Sequence, residues 1–371
     1  MRTRPRRLLL PALAALAALS VAALAALPGG HGAAAADGSS PAGKGKPDAH
    51  RVVLAVHGGA GTALDRKTTS NKEARAYRDG LSDALRAGRR VLDDGGSSLD
   101  ATEAAVRELE DNPLFNAGKG AVFTENADHE LDASVMRGSD MKAGAVAGVR
   151  NVKNPVSAAR KVMDETPHVL LQGEGADDFA AAQGLKTVTQ DYYSTKQRWE
   201  ELQRAKAKER KQQGKDDGED VGAPGSSTKG TVGAVARDED DNLAAATSTG
   251  GTTNKMAGRV GDSPLIGSGT YAKNGVVAAS ATGHGETFIR GAATSTLANL
   301  VEFGGKDVAS AAYEVLIKRL PKLGGDGGVI ALGPDGTFDA PHSSPGMLHG
   351  YLTEDGDMVT KIFPDETPRN R

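Results

Sequence analysis

Cysteine is absent from the 371 residues, tryptophan occurs once, and aromatic residues make up only 4% of the chain. With no thiol there can be no disulfide, no thiolate-held metal and no lipid-modified cysteine at a processing site, so neither export nor stability relies on sulfur chemistry. Scarce aromatics and a formal charge of -3 also speak against a nucleic-acid surface, which combines basic stripes with stacking rings. Long apolar runs are equally rare. The exception is at the N-terminus, where Arg2, Arg4, Arg6 and Arg7 precede an apolar stretch over residues 8–27 and a small-residue patch at 33–36.

That layout is the n, h and c pattern of a secretory signal peptide. An uncleaved membrane anchor has the same length, but the alanine-rich run and the alanines after it favour cleavage after Ala36. A secreted or periplasmic protein is therefore expected, with no stable membrane association once the leader is gone. Arg6-Arg7 also admits a twin-arginine route. Removing residues 1–36 takes away four arginines and no acid, moving the formal charge from -3 to -7. Residues 37–50, rich in Gly, Ser, Pro and Lys, read as a flexible N-terminus. Roughly 320 residues remain, enough for one large or two medium domains.

Periodicity predicts a strand over 51–56 ending in the glycines of His57-Gly58-Gly59-Ala60-Gly61, which let another backbone come close. Helices are predicted over 71–92 and 99–109, the second capped by Ser97 or Ser98. Strands follow at 131–136 and 143–149, then a helix at 156–165, a short strand at 169–172 and a helix at 176–183. Residues 194–229 change in composition: a charged helical run (196–213) gives way to an acidic, Gly/Ser/Pro-rich tail (216–229), together reading as a linker. Beyond it come a hairpin (232–236 and 243–249), a strand at 276–281, helices at 286–303 and 307–320, and two closing strands at 328–332 and 337–340 around a Pro-Asp-Gly turn. Strands, then paired helices, then strands give an α+β class.

The hairpin brings Thr231 and Thr249 to the same end, and Gly230-Thr231 lies directly behind the polar tail. A threonine hydroxyl is a weak nucleophile unless a base takes its proton, and its own α-amino group can be that base if it becomes a chain terminus. Such an amine has a pKa near ~8, so part of it is unprotonated at neutral pH. A Gly-Thr pair alone is ordinary turn chemistry. Its neighbours are less ordinary.

The stretch from Gly230 to Asp262 closely resembles the nucleophile region of the plant-type asparaginases, also called isoaspartyl peptidases, among the N-terminal nucleophile (Ntn) hydrolases. The likeness extends over HGGAG (His57 to Gly61), SLDATEAAVRELEDNPLFNAGKGAVFT (Ser98 to Thr124), ELDASVM (Glu130 to Met136) and ATGHGETFIR (Ala281 to Arg290). It implies a four-layer αββα sandwich and scission at Gly230-Thr231 into an upstream piece (core 51–193, linker 194–230) and a downstream one (231–371). It further implies Thr231 as nucleophile, Thr249 as its orienting partner, Thr282 and Gly283 as oxyanion donors, and Arg259, Asp262 and Asn116 around the substrate. Arg259 and Asp262 suit an amino-acid head group, one for carboxylate and one for ammonium. Residues 109–119 match the family's sodium-binding loop, with the main-chain carbonyls of Leu109, Glu110, Asn112, Phe115, Ala117 and Lys119 as ligands; carbonyl oxygens suit a hard cation.

The implied activity is hydrolysis of L-asparagine and β-aspartyl peptides to L-aspartate through an acyl-enzyme, by a dimer of α/β heterodimers requiring no cofactor beyond a structural sodium ion. A glycosylasparaginase is the alternative within the fold, and an uncut, inactive binding protein the alternative outside catalysis. His284 is read as a loop or core histidine, since no further ligand stands at metal spacing near it and Glu286.

Overall fold

The computed structural model describes residues 51–61, 64–213 and 230–366. The expected leader, the N-terminal segment 37–50 and the acidic tail 216–229 lie outside the described residues. The chain opens with β1 (Val52–Gly61), α1 (Asn71–Asp93) and α2 (Ser98–Asp111), then β2 (Leu131–Arg137), β3 (Ala143–Val149), α3 (Pro155–Glu165), β4 (Leu170–Gln172) and α4 (Gly173–Ala182). After α5 (Lys196–Gln213) come β5 (Val232–Arg237), β6 (Leu243–Thr249), β7 (Thr270–Lys273) and β8 (Val277–Gly283). Helices α6 (Gly285–Gly291), α7 (Ala293–Glu302) and α8 (Val308–Tyr313) lead to β9 (Gly327–Leu332), β10 (Phe338–Asp339), β11 (Gly346–Thr353) and β12 (Met358–Lys361).

The strands form two sheets: eight in the order β12-β11-β1-β5-β6-β2-β3-β4, and four in the order β10-β9-β8-β7. Alternation along the strands decides which side each residue serves. Leu54, Val56, Ala234 and Ala246 point from the large sheet into a core completed by Leu81 and Leu85 of α1, Leu99 and Val106 of α2, and Val162 of α3. Their neighbours Ala55, Val235 and Ala245 point the other way and meet Ala278, Ile330 and Leu332 of the small sheet. Ala279, Val329 and Ala331 then face Phe288, Leu297 and Leu316. Burying a leucine, valine or phenylalanine side chain is worth about 1.5–3 kcal/mol, so these three contacts, rather than hydrogen bonds alone, hold the elements together.

Asp238 shapes the central hairpin. Its Oδ1 accepts the Asn242 N–H at 2.9 Å, and Asp241 takes a left-handed φ of 60°, which short polar side chains tolerate. Oδ2 of the same residue accepts the Ser98 N–H at 2.9 Å, fastening the start of α2 to the hairpin.

Several expectations need correction. The single helix expected over 286–303 is two, α6 and α7, divided at Ala292 with φ 42°. The helix expected to run to residue 320 narrows to α8, a π-helical turn (Glu314–Arg319) and a 3-10 turn (Leu320–Leu323) holding Pro321, which has no N–H to continue an α-helical ladder. β7, β11 and β12 are additional strands. The charged run α5 is not a free linker along its length: Leu202 is fully buried, and Arg198, also buried, donates from Nε to Gly120 O at 2.7 Å and from Nη1 to Glu201 at 2.9 Å.

Candidate active site

β5 lies between β1 and β6, and Val232 pairs with Ser248 across the hairpin. One residue further on, Thr231 and Thr249 come side by side. Thr231 Oγ1 donates to Thr249 Oγ1 at 3.1 Å, and Thr249 Oγ1 donates to the Gly230 carbonyl at 3.2 Å while accepting the Gly251 N–H at 2.9 Å. The result is a chain of hydroxyls from the threonine to the carbonyl preceding it.

Asn116 grips the same carbonyl. Its Nδ2 donates to Gly230 O at 2.6 Å and to Gly251 O at 2.7 Å, and its Oδ1 accepts the Val122 N–H at 2.9 Å. Both donor hydrogens and the acceptor are thus used, which fixes the amide orientation. The Gly230-Thr231 peptide has its carbonyl polarised by two donors and a hydroxyl lying next to it.

From the other side, β1 supplies glycine where backbone must approach. Gly59 has φ 113°, and a Cβ there would fall 2.7 Å from Gly230 Cα and 3.2 Å from Thr231 N. Gly58 packs on Phe115, and Gly59 therefore brings β1 against the Gly230-Thr231 peptide. Two residues earlier, His57 is completely buried, with Nδ1 3.0 Å from Thr231 O and Nε2 3.0 Å from Ser280 Oγ. Burial pushes its pKa down to about 3, so this ring is a neutral strut between the sheets. Sequence reasoning passed over its role, because the partners are 174 and 223 positions away.

One pocket is lined by Gly230, Thr231, Thr249, Arg259, Asp262 and Gly283. Arg259 Nε donates to Glu286 Oε1 at 2.9 Å, which fixes one edge of its guanidinium. Asp262 is 4% exposed, and its Oδ2 has no hydrogen-bond partner among the described residues. Burial pushes its carboxyl up to about 7, against the opposing pull of Arg259. A carboxyl in this condition is poised to gain a cationic partner. Thr282, next to Gly283, is fully buried and accepts the Ala60 N–H at 3.0 Å.

The loop after α2 carries Asn116. At the junction, the Leu109 and Glu110 carbonyls at the end of α2 and the Asn112 carbonyl each accept a backbone N–H, from Asn112, Lys119 and Phe115 respectively. Each retains a second lone pair. At Gly120 a Cβ would meet Pro113 O at 2.5 Å and Phe115 O at 2.7 Å, so carbonyl oxygens crowd toward one another, a donor set compatible with a hard cation. Among the described residues no group of three or more His, Asp or Glu is arranged to hold a metal. His284 Nδ1 lies 2.9 Å from Asp326 Oδ1.

A family model described as Asparaginase matches residues 50–362. The chain is 50% identical over 316 residues to the isoaspartyl peptidase of Salmonella typhimurium, spanning 85% of this chain and 99% of that one. Against the isoaspartyl peptidase of Escherichia coli it is 48% identical over 318 residues, or 85% and 97% of the two chains. The isoaspartyl peptidase/L-asparaginase of Homo sapiens is 40% identical over 316 residues, again 85% and 97%.

Proposed function

The chain belongs to the asparaginase family, and from that premise we propose that it is a self-cleaving threonine hydrolase acting on L-asparagine and β-aspartyl (isoaspartyl) peptides. The observation that carries the reading is the 3.1 Å contact between Thr231 Oγ1 and Thr249 Oγ1 beside a Gly230 carbonyl held by Asn116. Scission begins when Thr231 Oγ1 attacks the Gly230 carbonyl carbon. The oxygen's growing negative charge falls on the Asn116 N–H and the Thr249 hydroxyl, donors of a kind worth about 3 kcal/mol each in such sites. The C–N bond breaks, an ester forms on Oγ1, and the nitrogen takes up the proton that Oγ1 gave up and leaves as the new α-amino group. Water then hydrolyses the ester, freeing the Gly230 carboxylate.

In turnover the same oxygen attacks the substrate's β-carbonyl, with the α-amine of Thr231 as base and Thr249 as orienting group. Gly283 N–H and the Thr282 hydroxyl meet the oxyanion; the Ala60 N–H occupies a lone pair on Thr282 and leaves its proton to donate. Arg259 takes the α-carboxylate and Asp262 the α-ammonium. Loss of ammonia or an amino acid leaves an acyl-enzyme that water opens to L-aspartate. A sodium ion held by the carbonyls of Leu109, Glu110, Asn112, Phe115, Ala117 and Lys119 would stiffen the loop bearing Asn116.

The stacking of helices, large sheet, small sheet and helices supports the four-layer αββα sandwich of the Ntn-hydrolases. Division at residue 230 into two subunits, pairing of the cut units into a dimer of heterodimers, and export by the N-terminal leader belong to the same proposal. The names of the relatives favour isoaspartyl peptides and asparagine over glycan-linked asparagine.

Electrophoresis and N-terminal sequencing test it. Purified protein should run as two pieces, the smaller beginning TVGAVARD. Thr231→Ala should stay whole and lose at least about three orders of magnitude of activity, whereas Thr231→Ser should cut slowly and keep weak activity. A fully active enzyme with an intact Gly230-Thr231 bond would sink the mechanism.

A further inference from the structure

Behind the pocket, the start of β2 and the loop after β6 bury a cluster of charge: Glu130 is 9% exposed, Asp132 0% and Lys255 4%. Lys255 Nζ donates to the Glu130 carbonyl at 2.8 Å, and Glu130 Oε2 accepts the Gly258 N–H at 2.8 Å. Oε1 of Glu130 looks outward, 3.6 Å from Arg150. Asp132 Oδ1 accepts the Gly148 N–H at 2.8 Å, while its Oδ2 has no hydrogen-bond partner among the described residues. Burial raises this carboxyl above its ordinary range, and Lys255, Gly148, Arg259 and the backbone of Gly261, in that order, work to keep it charged. Lys255 and Arg259 therefore act on this carboxyl through space rather than through a direct hydrogen bond.

These contacts bracket one short segment. Gly258, held by Glu130, and Gly261, facing Asp132, flank Arg259, and Asp262 follows immediately. Asp132 also pairs in the sheet with Thr249. One buried carboxylate thus stands between the strand that orients the nucleophile and the loop that carries the head-group ligands.

We propose that Asp132 is a positioning residue for the substrate head group: with Lys255 as buried counter-ion and Glu130 at the loop's other end, it sets where Arg259 and Asp262 stand relative to Thr231. The inference rests on the head-group assignment made under "Proposed function". Without the Asp132 charge, the buried Lys255 and the partly exposed Arg259 repel each other with no anion between them, and the loop relieves that repulsion by moving. Glu286 holds Arg259 only from the solvent side.

Asp132→Asn keeps the shape and the acceptor for Gly148 but removes the charge. Titration calorimetry with L-aspartate reads head-group affinity without requiring turnover. The variant is expected to bind L-aspartate at least about tenfold more weakly than wild type, and to raise KM for a β-aspartyl dipeptide by a similar factor with kcat changed less than about threefold. A merely structural role would instead lower kcat and stability together. Wild-type affinity in the variant overturns the proposal. Should Asp132→Asn fail to fold, Glu130→Gln decides alone: weaker L-aspartate binding supports the proposal and unchanged binding overturns it. A wild-type protein that does not bind L-aspartate overturns the head-group assignment and this inference with it. One that binds L-aspartate but hydrolyses nothing sinks only the reaction, and the calorimetric comparison still decides the role of Asp132.

Discussion

Asp262 and Glu110 are both carboxyls taken out of water, and they respond oppositely to what comes near them. Burial lifts the pKa of Asp262 to about 7; if Asp262 takes the substrate ammonium as proposed, only its ionised form binds it, so KM for amino-acid substrates should rise as pH falls below about 7, by up to about tenfold per unit. Asp262→Asn should raise KM throughout and remove that slope, and a retained slope would assign it to another group. Glu110 accepts from Ser248 Oγ at 2.7 Å and the Val156 N–H at 2.9 Å, yet burial drives its carboxyl up to about 8. Between its ordinary value and about 8 the folded chain binds this proton more tightly than the unfolded one, so stability falls as pH rises through that window. Glu110→Gln should therefore raise Tm at pH 9 by on the order of 5 °C and leave it nearly unchanged at pH 4. The residues read from local motifs, Thr231, Thr249, Arg259, Asp262 and Gly283, stand around one pocket. His57 and Asp132 were not legible, because a buried polar group acquires its meaning from partners that only the fold brings near.

At the scale of elements, α5 shows how far charge patterning carries and where it stops. Its lysines and glutamates read as a solvated face, but one arginine in the first turns is pulled inward to satisfy Gly120 O and Leu114 O, at 2.7 and 3.3 Å. Both carbonyls belong to the loop bearing Asn116. Arg198→Ala strands those acceptors and the Glu201 carboxylate, which should cost about 3–5 kcal/mol in urea unfolding; a loss under 1 kcal/mol would mean that the loop holds itself. Helices and the later strands of the first half agree with their periodicity to within a few residues, whereas β1, expected over 51–56, runs on through the glycines to Gly61. The second half agrees less well, since the break at Ala292 is a backbone choice that leaves the apolar spacing of α6 and α7 continuous. β11 was missed for a related reason: its sequence GMLHGYLT alternates weakly, and its place is set by pairing with β1, which lies nearly 300 positions earlier.

For the whole molecule, the order of strands matters more than their number. In the large sheet β1 runs between β11 and β5, and β6 runs against β2, so strands from either side of residue 230 alternate across its middle. Once cut, the two pieces should co-elute under native conditions and separate only in denaturant; a downstream piece eluting alone would contradict the shared sheet. The grip on the Gly230 carbonyl comes from residues 114 and 19 positions away, so the proposed scission would require a chain that has already found its fold. If the chain is cut as proposed, renaturation before the break is a first-order process, indifferent to dilution. Afterwards it requires two molecules to meet, and its yield should climb with protein concentration for the nicked enzyme but not for Thr231→Ala. Each mature molecule would then have passed through a door that opens one way, having had a single chance to fold alone.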